Sequence, residues 1–183
     1  DALRAALPPA QRAVFGSVEC AWTLASTNSA LLARPPPPPG EFRLLVAEHQ
    51  SAGRGRLGRR WVGALGGSLL MSVAAGLAEL PRDIATLPLV AGLAVRRALR
   101  AHGVQGVGLK WPNDIVARPA DANATVLGKL GGVLTELRAE ASGPAHVVIG
   151  IGLNLQLPLA LREAIEPGAL PPADLHALGL AAT

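Results

Sequence analysis

The chain contains no tyrosine, two phenylalanines, three tryptophans and a single cysteine, Cys20. One thiol cannot build a disulfide framework, so a reducing compartment is expected and the cytoplasm is the default location. Nothing near Cys20 would activate it, and a buried, inert thiol is the expectation. With so few aromatic rings, little remains for a base-stacking platform. That weakens the nucleic-acid reading invited by a net charge of +4. The arginines are scattered apart from Arg54, Arg56, Arg59 and Arg60, so no DNA partner is expected. Residues 61–78 and 141–161 carry no charge, but glycine, serine and proline interrupt both, so they read as strands and turns and no membrane span is expected. With 50% hydrophobic residues, disorder is excluded, and 183 residues suit one folded domain.

Scarcity also makes pointers. Of 17 basic residues, only Lys110 and Lys129 are lysine. Where arginine is the default cation, a surviving lysine marks a place that needs a compact ammonium. Asparagine is similarly rare: Asn28, Asn113, Asn123 and Asn154. The four histidines show no metal-ligand spacing, and no protein-built metal site is expected.

The pattern predicts a short helical lead-in over residues 1–15, broken at Pro8-Pro9, and a helix through Arg34 capped by Ser26 or Thr27. Residues 35–39, all proline, read as an exposed connector. Strands are expected over 43–48, 68–77, 107–110, 126–137 and 146–151. A helix is expected over 87–100, with Leu89, Val90, Leu93 and Ala94 on its apolar face. Successive strands with few helices between them predict an α+β fold, a mixed and largely antiparallel sheet with helices packed on one side.

Four segments carry chemistry. Gly53-Arg-Gly-Arg-Leu-Gly58 formally matches a dinucleotide loop, but no helix follows it, as a Rossmann turn requires. It reads instead as an anion-binding loop with arginine forks, ending in the flat indole of Trp61. Leu109-Lys-Trp-Pro-Asn-Asp-Ile115 is a turn with polar side chains. Lys129 stands among glycines in an otherwise apolar strand, where a charge is costly unless it points into a site. In Gly150-Ile-Gly-Leu-Asn154 the glycines allow close approach of a ligand.

Together with Ser26-Thr27-Asn28, the segments AEHQSAGRGRLGRRW, LKWPNDI, GKLGGVL and GIGLNL resemble, in order and spacing, the catalytic domain of bacterial biotin–protein ligases. The resemblance spans residues 22 to about 157. It implies a fold related to class II aminoacyl-tRNA synthetases and lipoate ligases. It also implies that biotin is activated by ATP and Mg²⁺ to biotinyl-5′-AMP, then passed to a lysine of the biotin carboxyl carrier protein of a carboxylase. By that resemblance Ser26, Thr27, Asn28, Gln50, Arg54, Gly55, Arg56 and Lys129 would contact biotin. Arg56, Arg59, Trp61, Lys110, Asn113, Asp114 and Asn154 would surround the nucleotide. Lys129, Arg56 and Asp114 are the catalytic candidates: cations suppress repulsion between a carboxylate and a phosphate, and Asp114 could position or deprotonate the incoming amine. The expectation is one catalytic domain over residues 1–183, monomeric or weakly dimeric, with neither the family's helix-turn-helix nor its small β-barrel. Two alternatives stand beside it: a lipoate or octanoate ligase relative, and a biotin-binding regulatory module without turnover.

Overall fold

The computed structural model describes residues 2–118, 127–139, 144–163 and 169–179. Helices α1 (Ala2–Ala6) and α2 (Pro9–Val14) form the lead-in, separated at the expected prolines. Seven strands follow: β1 (Phe15–Leu24), β2 (Phe42–Gln50), β3 (Ser68–Leu77), β4 (Val107–Lys110), β5 (Asp114–Ala117), β6 (Gly128–Ala139) and β7 (Ala145–Asn154). They form one sheet in the order β1-β2-β3-β7-β6-β5-β4. Only β1 and β2 run parallel; the other neighbours are antiparallel. A parallel pair needs a crossover, and the helix α3 (Thr27–Leu32) supplies it.

Two strands escaped the sequence reading. β1 lies at the sheet edge and mixes glycine, serine, glutamate and cysteine with apolar residues, so it lacks a clean alternation. Cys20 sits there exposed, not buried as expected. β5 hides behind the turn residues of Leu109–Ile115 and is only four residues long. By contrast β3 alternates buried and partly buried positions along its whole length and lies where the pattern placed it. β6 ends two residues later than expected, and Val126, its expected start, lies outside the described residues.

Alternation along β7 separates two cores. Val148 packs with Leu31 of α3, Leu45 and Ala74 on one face. Ile149, Ile151 and Leu153 pack on the other with Leu99, Val107, Ile115 and Leu130. The second face is covered by the long helix α4 (Leu87–Ala101), which Pro88 opens in its first turn. Its buried positions are Gly92 and Leu99, with Ala91 and Val95 packed beside them. The expected stripe is thus rotated: Val90 and Leu93 face outward, because the apolar residues of this helix encircle it and only the sheet decides which side is covered. Among the described residues, no helix is long and apolar enough to cross a membrane. The proline run is only partly exposed: Pro37 is buried, and its carbonyl lies against Gly76, where any side chain would collide.

Ser26 caps α3 by accepting from the Ser29 N–H at 3.4 Å. At the far end of α3, Arg34 grips Glu19 of β1 through two bonds of 2.7 and 3.0 Å, and this hydrogen-bonded pairing holds the Glu19 carboxyl below its ordinary value. On β7, His146 is 5% exposed, and its Nε2 is buried without a partner among the described residues. Burial, then Arg138 and Arg43, push its pKa down, so folding favours its neutral form. Protonation therefore favours the unfolded chain. Stability should be intact above the unfolded histidine value of about 6.5 and decline as pH falls below it. Thermal melting followed between pH 7.5 and 5.5 checks this, and His146→Gln should flatten the decline.

Candidate active site

On the α3 face of the sheet, β7 and β6 form the floor of a cleft of about 620 Å³. The loop between β2 and β3 makes one bank, and the turn between β4 and β5 makes the other. Every site residue expected from the sequence lines this cleft: Ser26, Thr27, Asn28, Gln50, Arg54, Gly55, Arg56, Arg59, Trp61, Lys110, Asn113, Asp114, Lys129 and Asn154.

A β-bulge orients the central lysine. Asp114 pairs with Gly132 and Ile115 with Gly131, but Val116 pairs with Lys129, so Leu130 is an extra residue. Strict alternation from the core residue Val133 would send Lys129 into the core. The extra residue switches the parity, so Leu130 enters the core and Lys129 emerges on the cleft face. There its Nζ lies 2.7 Å from Asp114 Oδ1. Two of the three catalytic candidates thus form one ion pair, shielded but not buried.

The three rare asparagines within the described residues share one duty. Asn28 Nδ2 donates to the Leu134 carbonyl at 3.1 Å, Asn113 Nδ2 to the Val133 carbonyl at 2.8 Å, and Asn154 Nδ2 to the Lys129 carbonyl at 3.3 Å. All three acceptors belong to β6. Asn28 also donates to Glu136 at 3.0 Å, and its Oδ1 lies within hydrogen-bond reach of the Ser72 hydroxyl. The Nδ2 groups of these side chains are therefore engaged in holding the strand that carries Lys129. The glycines of Gly150–Asn154 are filled in a similar way. Gly150 makes room for the Asn28 amide, and a methyl on Gly152 would lie 2.6 Å from the Trp61 indole. The groups that approach these glycines come from the protein itself.

Gln50 Oε1 accepts from the Thr27 N–H at 2.6 Å and from its hydroxyl at 3.1 Å, closing one end of the cleft. Arg54 is tied to Glu136 at 2.7 Å and donates to Ser29 at 3.1 Å. Arg56, Arg59 and Arg60 are exposed and make no salt bridge among the described residues. Trp61 lies over Gly132 and Gly152, which face each other across β6 and β7, and its buried Nε1 has no partner among the described residues. Gly53 is required because the Trp61 carbonyl occupies the space of a side chain. Gly58 has φ of +73°, a turn only glycine adopts without cost.

The sequence reading missed two groups. Ser72 and Glu136 complete the Asn28 network; the signal for Ser72 was a lone hydroxyl at a buried position of an alternating strand. The second group is the far wall, built by Leu157, Leu161, Leu170 and Pro172. It is anchored by Asp174, 1% exposed, which accepts from the Leu157 and Ala177 N–H groups and pairs with Arg162 at 2.6 Å. That wall also binds Lys129: its N–H donates to the Pro171 carbonyl at 2.7 Å, and its carbonyl accepts from Ala173 at 2.8 Å.

Residues 25–154 match the biotin/lipoate A/B protein ligase family. The biotin–[acetyl-CoA-carboxylase] ligase of Mycobacterium tuberculosis is 40% identical over 156 residues, covering 82% of this chain and 52% of the relative. The bifunctional ligase/repressor BirA of Salmonella typhimurium is 35% identical over 156 residues, covering 84% of this chain and 45% of the relative. The chain thus spans about half the length of the curated relatives it matches. Among solved structures, biotin protein ligase from Leishmania major in complex with biotin superposes with a TM-score of 0.65 at 27% identity, covering 94% of this chain and 65% of that one. The same enzyme in complex with biotinyl-5-AMP gives 0.57 at 26% identity, with 94% and 71% covered.

Proposed function

Because this chain belongs to the biotin/lipoate A/B protein ligase family, we propose that it joins biotin to AMP at the expense of ATP and then transfers biotin to a lysine of a biotin carboxyl carrier protein. One observation carries the reading: segments more than a hundred residues apart in sequence, each implied by the resemblance to touch biotin or nucleotide, line a single cleft around Lys129. The hydroxyls of Ser26 and Thr27 and the Gln50 amide offer polar contacts for the ureido ring. Leu70 and Leu134, on the cleft face of β3 and β6, offer an apolar path for the hydrocarbon chain, which leads its carboxylate to Lys129.

In the first step a carboxylate oxygen attacks the α-phosphorus. A new O–P bond forms, the bond to the β-phosphate oxygen breaks, and pyrophosphate leaves. Two anions must meet, so Lys129 and Arg56 lower the barrier by offsetting charge that is more concentrated in the transition state. As Lys129 turns to the ligand it releases Asp114 from the ion pair. In the second step the acceptor amine attacks the acyl carbon, a C–N bond forms, the C–O bond to AMP breaks, and Asp114 is the base placed to take the amine proton. Trp61 Nε1, which has no partner among the described residues and is costly to leave buried, is a donor suited to the nucleotide.

Mg²⁺ would arrive with the triphosphate. Among the described residues no three His, Cys, Asp or Glu side chains stand together as a metal site. The cleft therefore suits a cation held mostly by phosphate and water, with Asp114 the carboxylate nearest to share it. Its chemistry would be to offset charge on the phosphates. We read residues 1–183 as one catalytic domain, monomeric or weakly dimeric, acting in the cytoplasm on a carboxylase carrier and without a DNA partner.

ATP–pyrophosphate exchange tests the proposal. It should depend on biotin and not respond to lipoate or octanoate. Exchange driven by lipoate would favour a lipoate ligase relative, and tight biotin binding without exchange would favour a module without turnover.

A further inference from the structure

We propose that Leu57 and Trp111, exposed on opposite banks of the cleft mouth, grip the acceptor: an acidic, folded carrier domain that presents its lysine on a protruding turn. The inference rests on the reading above and deepens it by assigning a surface to the second step. Leu57 is 89% exposed and is the one non-glycine residue with positive φ, +57°, among the described residues. A leucine gains nothing from water and loses energy in that backbone region. Within the chain neither cost is recovered, because its side chain reaches no core.

Trp111 is 71% exposed at the turn between β4 and β5. The sheet order sets β2 and β3 on one side of the β7–β6 floor and β5 and β4 on the other. Leu57 and Trp111 therefore flank the opening above the Lys129–Asp114 pair. Val62 and Leu65, 55% and 59% exposed, extend the apolar rim along the Leu57 bank. A large exposed aromatic beside aliphatic side chains is the composition of a protein-docking anchor.

Charge indicates the kind of partner. Arg60, which is not among the residues read as contacting biotin or nucleotide, is exposed near Leu57 and makes no salt bridge among the described residues. Of the cleft's acids, Glu136 is paired with Arg54, and Asp114 lies on the floor, below the mouth. The mouth is thus positive with an apolar rim, and it complements an acidic surface. A lysine on a narrow turn could pass between the banks to the floor, whereas a flat surface would be held above it.

The double variant Leu57→Ser, Trp111→Ser is compared with the parent chain in three assays. These are biotin-dependent ATP–pyrophosphate exchange, discharge of preformed biotinyl-5′-AMP to hydroxylamine, and transfer to a biotin carboxyl carrier domain over a range of carrier concentrations. The carrier KM should rise about tenfold or more with kcat little changed, a much larger effect than any on exchange or hydroxylamine discharge. Added salt should raise the parent's carrier KM as well. An unchanged carrier KM would overturn the assignment. So would an equal fall in all three assays, which would place the two residues inside the small-ligand site. Loss of a parent dimer by sedimentation, with carrier KM unchanged, would give the rim to a second copy of the chain and also overturn it. If the parent itself shows no exchange, the functional reading fails and this inference falls with it.

Discussion

Replacing Lys129 with alanine should lower the rate of biotinyl-5′-AMP formation by roughly 10²–10³-fold, the scale of one lost electrostatic contact to a transition state. The fold should persist, because the Lys129 side chain lies at the cleft surface and its structural bonds are made by its backbone. Lys129→Arg should also be poor, although it keeps the charge. The ammonium sits 2.7 Å from Asp114 at a point set by the Leu130 bulge, and a planar fork is bulkier and directs its donors differently. Single-turnover adenylate formation, measured beside the far-ultraviolet circular dichroism of each variant, separates loss of chemistry from loss of fold. An arginine variant as fast as the parent would show that charge alone suffices and that the lysine is not needed for its shape.

Asp174→Ala should cost about 3 kcal/mol of stability, at the lower end for a broken buried ion pair because Arg162 is partly in water. The carboxylate is 1% exposed and satisfies two backbone N–H groups besides Arg162, so its removal leaves the Leu157 and Ala177 donors without it. Urea unfolding should show a lower midpoint with an unchanged slope. Activity should fall as well, by tenfold or about that, at temperatures where the variant remains folded, because the wall that Asp174 anchors also holds the backbone of Lys129. Asp174→Asn, which keeps the shape and can still accept from one backbone donor, should lie between the parent and alanine in both measurements. A variant as stable as the parent would mean that the Asp174 contacts contribute little net stability.

Much of the site could be read before any fold was known, because its residues announce themselves by chemistry. Two lysines among many arginines, a few asparagines and glycines at close intervals are unusual in an Ala- and Leu-rich chain. What could not be read was the direction in which each group points. The asparagines look like ligand contacts in the sequence; in the fold their amide groups are bonded to carbonyls of β6. The glycines of Gly150–Asn154 look like room for a ligand, yet the room is taken by Asn28 and Trp61. The wall around Asp174 was invisible because its residues, such as Leu157 and Pro172, carry no chemistry of their own.

Local pattern determined the elements wherever side-chain periodicity was strong. β3 alternates without a break and α4 opens on a proline, so both follow from nearest neighbours in the sequence. The amino-acid order also determined which residue types could serve an anionic reaction. Tertiary structure alone decided the orientation of Lys129. A regular strand would turn it into the core with Val133, and the bulge at Leu130 appears only when β5 pairs with β6 out of step. Pairing across strands is a long-range choice, set by which backbone groups meet and which side chains the core can hold. A change of one residue in that register exchanges the two faces of the strand, so the exposure of the Lys129 ammonium rests on contacts that no local reading contains.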